Sequence, residues 1–354
     1  MTARYTDKDI HEIVTNIEQI HGAFEGKNVL MTGGGGFLGR YFSAVFAEMN
    51  KNVFKKPCNL TVLDNFISAN NPSYEEGERD GVTFVRHDVT QPFEPKHRFD
   101  YIMHAAGIAS PYYYRAFPME TIEVSVTGTK NMLKLAERDG ARLLFFSSSE
   151  IYGDPDHKHV PTPESYRGSV SCLGARACYD ESKRVGETLC RVYHTHFGLH
   201  TNMVRPFNVY GPGMSETDYR VLPNFASRIK AGHPLKIYGT GNQTRTFCYV
   251  TDAITGFLKV LVRGVAGEPY NIGNPTPEIS MLQLAETISG LIAAKVEIDI
   301  VEYPDSYPAD EPNRRCPDIS KVRIQVGYQP RVSLAEGLTR FFSWTDEHFT
   351  GSEA

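Results

Sequence analysis

The stretch Lys27–Gly39, KNVLMTGGGGFLG, decides the reading of the fold. Val29, Leu30 and Met31 form a short apolar run that suits a buried parallel strand. Gly33, Gly36 and Gly39 follow at G-x-x-G-x-x-G spacing, with Phe37 and Leu38 opening a helix. A strand that turns tightly into a helix aims backbone N–H groups and a positive dipole end at an anion. Glycine lets that backbone approach a pyrophosphate with no Cβ between them. Glycines so spaced also occur in turns that bind nothing, so the next strand matters. Leu60 to Leu63 form a second apolar run ending in Asp64, 25 residues after Gly39. An acid there is placed to accept hydrogen bonds from an adenosine ribose and to repel a 2′-phosphate, which favours NAD over NADP.

The chain has 354 residues, enough for one large domain or two ordinary ones. A hydrophobic fraction of 41% and a charged fraction of 22% fit a soluble globular protein. A net charge of −5 offers no basic footprint for nucleic acid. No apolar run approaches the roughly 20 residues that span a bilayer, and the N-terminus lacks the basic-then-apolar pattern of a signal peptide. The six cysteines, at 58, 172, 178, 190, 248 and 316, show no C-x-x-C spacing. They read as reduced thiols of a cytoplasmic protein, with neither a disulfide frame nor a metal site.

In residues 1–26, Ile10, Ile13, Val14, Ile17 and Ile20 fall at helical spacing. This extension is expected to pack on the body or across a subunit contact. Past Asp64, strands are expected at Val82–Arg86, Tyr101–His104 and Arg142–Phe146, with a helix over 119–138. Strands alternating with helices predict an α/β, Rossmann-type doubly wound parallel sheet with its ligands at the carboxyl ends of the strands. Asp88 stands at one such end, either to bond an adenine amino group or as a plain loop acid. The small residues of HAAG at 104–107 let backbone lie against a dinucleotide, and Ser147, Ser148, Ser149 and Glu150 stand at another strand end. Tyr179 and Lys183 lie one turn apart on a helix. Among 19 tyrosines about one such pair is expected by chance, so the order of the motifs carries the weight. A nearby ammonium favours tyrosinate, which would let this phenol act as a base. Residues 27–205 read as the cofactor-binding domain. Residues 206–354 read mainly as a smaller substrate domain, interleaved with the end of the sheet. In it Arg220, Arg245, Arg314 and Arg315 lie in or beside loops. Guanidinium forks suit diphosphates and carboxylates, and one or two of the four are expected to be ligands.

TGGGGFLG (32–39), LDNF (63–66), HAAG, SSSEIYG (147–153), YDESK (179–183) and RPFNVYGP (205–212) resemble, in that order, the extended short-chain dehydrogenase/reductases that act as nucleotide-sugar epimerases, dehydratases and decarboxylases. The UDP-glucuronate decarboxylase branch is resembled in HDV (87–89), ASPYYY (109–114), PESYRG (163–168), GARACYDESKRVGET (174–188), YGTGNQTRTFCYVTD (238–252), NIGNP (271–275) and DEPNRRCPDI (310–319). The resemblance implies bound NAD, a UDP-linked sugar substrate and a homodimer built on the helices near 119–138 and 179–197. It gives Tyr179 the role of C4 base, Ser148 a place at the C4 oxygen, Lys183 a hold on the nicotinamide ribose, and Ser149 and Glu150 places facing C5 and C6. Gly33, Gly36, Phe37, Leu38, Asp64, Asn65, Asp88, Val89, Ala105, Tyr179 and Lys183 would hold the cofactor. Tyr114, Asn208, Arg220, Arg245 and Arg315 would contact the substrate.

Oxidation at C4 makes the sugar a β-keto acid, which loses carbon dioxide because the electrons left behind delocalise into the ketone. Ser149 takes the place of the Asp with which dTDP-glucose 4,6-dehydratases expel the C6 hydroxyl, which fits decarboxylation better. A 4,6-dehydratase or 4-epimerase on another nucleotide sugar is the alternative. A catalytically idle NAD-binding regulator is a third, opposed by the intact Ser148, Tyr179 and Lys183. The chain departs from the branch at Gly213, where a basic residue is usual, at Ser148 for Thr, in PYYYRAF and in the N-terminal extension.

Overall fold

A computed structural model of the chain describes residues 5–68, 77–292, 296–303 and 312–351; the first four residues of the N-terminal extension and Asp310 and Glu311 of the DEPNRRCPDI run lie outside them. The central sheet contains β1 (Asn28–Thr32), β2 (Asn59–Asp64), β3 (Gly77–Arg79), β4 (Val82–Arg86), β5 (Tyr101–His104), β6 (Arg142–Phe146), β7 (Thr201–Pro206) and a last strand, Pro269–Ile272. From one edge the order is Pro269–Ile272, β7, β6, β5, β1, β2, β4, β3. Seven strands are parallel, and the short β3, hidden in a polar loop of the sequence, runs antiparallel to β4 at the edge. Direction reverses in sequence order between β1 and β5, which leaves a crevice above their carboxyl ends.

The helices are α1 (Asp7–Asn16), α2 (Phe37–Asn52), α3 (Pro111–Ala116), α4 (Pro118–Glu123), α5 (Thr129–Asp139), α6 (Ala177–Phe197), α7 (Val221–Lys230), α8 (Val250–Arg263), α9 (Met281–Leu291), α10 (Ser320–Val326) and α11 (Leu334–His348). The two-residue period of a strand sends its apolar side chains to both faces. Leu30, Ile102, Leu143 and Phe145 meet Met132, Leu133 and Cys190 of α5 and α6. Val29, Met31, Leu144 and Phe146 meet Phe42 of α2 and Phe257 of α8 on the other face. The sheet is therefore doubly wound. The helix expected over 119–138 runs as α4 and α5, joined by a π-helical turn at Val124–Gly128.

α1 packs on α2 and α8 with Ile10, Ile13, Val14, Ile17 and Ile20 buried. Asp9 is fully buried there, accepts hydrogen bonds from Tyr41 (3.2 Å) and Tyr249 (3.0 Å) and pairs with Arg340 (3.3 Å). Beyond residue 206 the sheet elements are short: Ile279–Ser280, Thr244–Arg245 and Arg314–Arg315 form one sheet, Val209–Tyr210 pairs with Cys248–Tyr249, and Leu235–Tyr238 pairs with Ile298–Val301. The runs around 238–245 and 314–315 thus contain strand where loop is expected, because two-residue strands leave no periodicity to read. All six cysteines are free, and no helix among the described residues is long and apolar enough to cross a membrane.

Candidate active site

β1 ends in the glycine turn. Gly33 has φ +77°, and its N–H donates to Leu63 O at 2.8 Å. A Cβ on Gly33 would lie 2.7 Å from Ala106 N, and one on Gly39 would lie 2.4 Å from Gly34 Cα. Gly36 begins α2 without a side-chain cap, so the first N–H groups of that helix, those of Phe37 and Leu38, face outward with no cap to take them. At the end of β2, Asp64 accepts hydrogen bonds from Gly35 N and Phe66 N, both at 2.7 Å. Burial pushes its pKa up, those two bonds and Arg40 pull it down, and the net shift is upward. Asn65 donates to Asp88 at 3.1 Å, and Thr90 caps Asp88 through N–H (2.9 Å) and hydroxyl (2.8 Å). Burial raises the Asp88 pKa, but these bonds outweigh it and leave a firm carboxylate. Asn131 holds Val89 O at 2.9 Å.

His104 has a structural part. Its Nδ1 meets Thr32 Oγ1 at 2.8 Å, and that oxygen accepts Ala106 N at 3.0 Å, tying HAAG to the glycine turn. Burial pushes His104 down to about 3, so the ring is neutral. Gly107 makes room for Lys183: a Cβ there would lie 2.9 Å from Lys183 Nζ.

The serine run leaves β6 at Phe146. Ser148 Oγ caps the following turn by accepting Glu150 N at 3.2 Å and is hydrogen-bonded to the Tyr179 hydroxyl. Tyr179 and Lys183 rise from the first turns of α6, both buried. Lys183 Nζ donates to Phe146 O at 2.8 Å and sits 5.9 Å from the centre of the Tyr179 ring. Burial lowers the lysine to about 8. Burial raises Tyr179, while Ser148, Arg220 and Arg176 pull the other way; the net is upward. Lys183 is not among the groups that shift it, so burial works against the expected tyrosinate. Tyr179 is bonded to Ser148. Tyr114 stacks on it, with ring centres 5.4 Å apart and planes 15° apart.

Opposite lies a cluster of charge. Arg315 Nη1 meets Glu150 Oε1 at 2.6 Å and its Nη2 meets Oε2 at 2.8 Å. Arg176 Nη2 also binds Glu150 Oε2, and Arg176 Nε lies 3.6 Å from Asp180. Arg176 is absent from the expected site residues. Its signal was available in ARACYDESK, three residues ahead of Tyr179, but it sits at the N-cap of α6, outside the helical periodicity. Arg220 binds Asp218 through Nε (2.9 Å) and Nη2 (2.5 Å). Asn208 holds Thr246 O at 2.7 Å, and Arg245 donates to Thr244 O at 2.8 Å. Arg314 turns away and grips Glu278 with two bonds, at 2.8 and 2.7 Å.

All of these except Gly34, Phe66, Arg314, Glu278, Asp180, Thr244, Thr246, Asn131, Thr32 and His104 line one cavity of about 1190 Å³. It takes in every expected residue: Gly33, Gly36, Phe37, Leu38, Asp64, Asn65, Asp88, Val89, Ala105, Tyr114, Ser148, Ser149, Glu150, Tyr179, Lys183, Asn208, Arg220, Arg245 and Arg315. The volume exceeds the roughly 300–1,000 Å³ of a pocket for one drug-sized ligand, as a dinucleotide beside a nucleotide sugar requires.

A model of the NAD dependent epimerase/dehydratase family matches residues 29–273. The chain belongs to this family. A UDP-glucuronic acid decarboxylase of Arabidopsis thaliana is 42% identical over 311 residues, 88% of this chain and 86% of the relative. One of Xenopus tropicalis is 39% identical, over 89% of this chain and 71% of the relative. Among solved structures, a dTDP-glucose 4,6-dehydratase of Streptomyces venezuelae with NAD bound superposes with a TM-score of 0.75 at 26% identity, covering 91% of this chain and 97% of that one. NAD is the cofactor of the family, and the residues present fit it. The glycine turn has no room for a Cβ, the start of α2 is uncapped, and Ser147 Oγ is buried in the cavity wall without a hydrogen-bond partner among the described residues.

Proposed function

We propose that the chain is an NAD-dependent UDP-glucuronate decarboxylase that produces UDP-xylose. The observation that carries the reading is the company of Glu150: a carboxylate bound by two guanidiniums, in the same cavity as Ser148, Tyr179 and Lys183. Likeness of about 40% to decarboxylases over most of the chain supports it.

Gly33, Gly36, Phe37, Leu38, Asp64, Asn65, Asp88, Val89 and Ala105 hold the dinucleotide, with the pyrophosphate at the start of α2 and the ribose at Asp64. When bound, NAD takes a hydride from sugar C4 and returns it. Tyr179 Oη, as the tyrosinate that the Lys183 ammonium favours, accepts the C4 hydroxyl proton, and Ser148 Oγ holds the same oxygen. The Lys183 ammonium, 5.9 Å from the centre of the Tyr179 ring, would steady the nicotinamide ribose. With a ketone at C4, the C5–C6 bond breaks, carbon dioxide leaves, and the electron pair spreads into the C4 oxygen. The Tyr179 and Ser148 hydroxyls stabilise that oxyanion. C5 then takes a proton from solvent, and with C4 reduced again the product is the pentose. Ser149 and Glu150 face C5 and C6. Tyr114, Asn208, Arg220, Arg245 and Arg315 hold the sugar and the UDP. Arg314 is a strut.

The division into a 1–26 extension, a 27–205 cofactor domain and a substrate domain mainly of 206–354 belongs to the same reading, as do a cytoplasmic location and a homodimer. Exposed Met119 near α5 and exposed Val185, Val192 and Phe197 on α6 supply the apolar surface that such a dimer needs.

Incubation with UDP-glucuronate and NAD, followed by the mass of the nucleotide sugar, tests the proposal. A pentose product is expected. A 4-keto-6-deoxy product from a neutral nucleotide hexose, with UDP-glucuronate left unchanged, would give the 4,6-dehydratase reading instead.

A further inference from the structure

Arg176 occupies the joint between the two halves of the catalytic set. Its carbonyl accepts Tyr179 N (2.9 Å) and Asp180 N (3.1 Å), so it starts the first turn of the helix that carries Tyr179 and Lys183. Its side chain reaches the other half and binds Glu150, in the turn that begins with Ser148. The Arg176 side chain is 7% exposed and that of Glu150 16%. Buried charges of this kind hold one geometry only when paired.

Arg315 also binds Glu150, but it arrives on the strand Arg314–Arg315, remote in sequence and in a different sheet. The two arginines therefore differ in kind. Arg176 is built into the same helix start as the catalytic tyrosine. It also has a second acid, Asp180, on the same helix. Among the described residues two guanidiniums of the cluster, Arg176 and Arg315, face two carboxylates, Glu150 and Asp180, so a substrate carboxylate enters as the odd charge. As carbon dioxide leaves, that charge passes to the C4 oxygen until C5 is protonated.

We propose that Arg176 is the positioning residue that fixes Glu150 for the decarboxylation half of the reaction, leaving Arg315 as the guanidinium that a substrate carboxylate engages. The proposal rests on the decarboxylase reading. It assigns Arg176 no contact with the C4 oxygen, so its removal separates C4 oxidation from loss of carbon dioxide. Without Arg176, Glu150 swings on Arg315 alone, and the 4-keto sugar acid forms but waits.

The test is a double-mutant cycle on full-length protein: wild type, R176M, E150Q and R176M/E150Q, with R176K as the conservative variant. Single-turnover NADH absorbance reads C4 oxidation, and carbon dioxide release reads the second half. NAD affinity and thermal midpoint monitor the fold. For R176M we expect C4 oxidation within about fivefold of wild type and carbon dioxide release slower by about 100-fold, the scale on which small misplacement acts. R176K should recover about tenfold of that loss, since it restores the charge without the fork. R176M should cost little more once E150Q is present. Should R176M not fold, the same cycle with R176K decides. Unchanged carbon dioxide release in R176M, or full additivity with E150Q, overturns the inference. Wild-type protein that oxidises C4 but releases no carbon dioxide overturns the functional reading instead.

Discussion

The two ends of the cavity are made of different material. The cofactor end is largely backbone: the turn at Gly33–Gly36, the start of α2, and small residues at Ala105 and Gly107, with Asp64 and Asp88 held by neighbouring N–H groups and hydroxyls. The sugar end is made of long side chains from distant segments, with Glu150, Arg176, Arg220 and Arg315 paired across them. Backbone cradles come from local sequence and tolerate no added atoms. Side-chain clusters come from tertiary packing and fail when a charge loses its partner.

The largest effect should fall where the two ends meet. Tyr179→Phe removes the proton acceptor bonded to Ser148, and kcat should fall about 10³-fold, within the range for loss of a general base. NAD affinity should hold. A fall of less than tenfold would mean that the C4 proton leaves by another route.

The next effect sharpens the contrast from the cofactor side. Gly33→Ala adds one carbon against Ala106 N in a residue at φ +77°. NAD affinity should drop by about tenfold or more, given roughly 1–3 kcal/mol for such strain. Titration calorimetry measures it, and unchanged affinity would show that the turn can move.

Lys183 gives a smaller, pH-dependent effect. Burial places its pKa at about 8, well below the ordinary lysine value of 10.5. The ammonium is lost above about 8, so kcat/KM should decline through a single ionisation on the alkaline side. Stability takes the opposite sign. The folded pKa is depressed, so the unfolded chain binds more protons between about 8 and 10.5. The contribution of Lys183 to stability is thus present above 10.5 and lost as pH falls through about 8. A pH–rate profile together with denaturant midpoints at each pH reads both signs.

The smallest effect separates neighbours. Arg314→Met should leave kcat within about twofold, since Arg314 makes only a partly exposed pair with Glu278 and such pairs contribute little. Arg315→Met in parallel should not be tolerated.

That last pair shows where the sequence stops being legible. The fold could be read because its signals are local: apolar runs at β1, β2, β5 and β6, glycines at the β1–α2 turn, and an acid closing β2. The residues proposed for the cofactor end share that local character, and the structure brings them to one cavity. From residue type and spacing alone Arg314 and Arg315 could not be told apart, and only the family resemblance singled out Arg315. They lie in a two-residue strand, where successive side chains point to opposite faces, and no periodicity reveals which face meets the cavity. Arg176 was missed because its partner Glu150 lies 26 residues away, across a 3₁₀ turn and an irregular loop. Spacing shows that Lys183 is near Tyr179 but not that burial pushes the phenol the other way. β3 escaped notice because three residues in a polar stretch give no alternation.

The central claim is that oxidation at C4 is used to release the carboxylate and is then undone. The direct measurement is turnover of UDP-glucuronate in deuterated water, with the product examined by NMR and carbon dioxide quantified. The account predicts carbon dioxide in equal amount to a UDP-pentose that carries one deuterium at C5 and the original hydrogen at C4. A product that keeps all six carbons, with C4 inverted or C6 reduced, would contradict it.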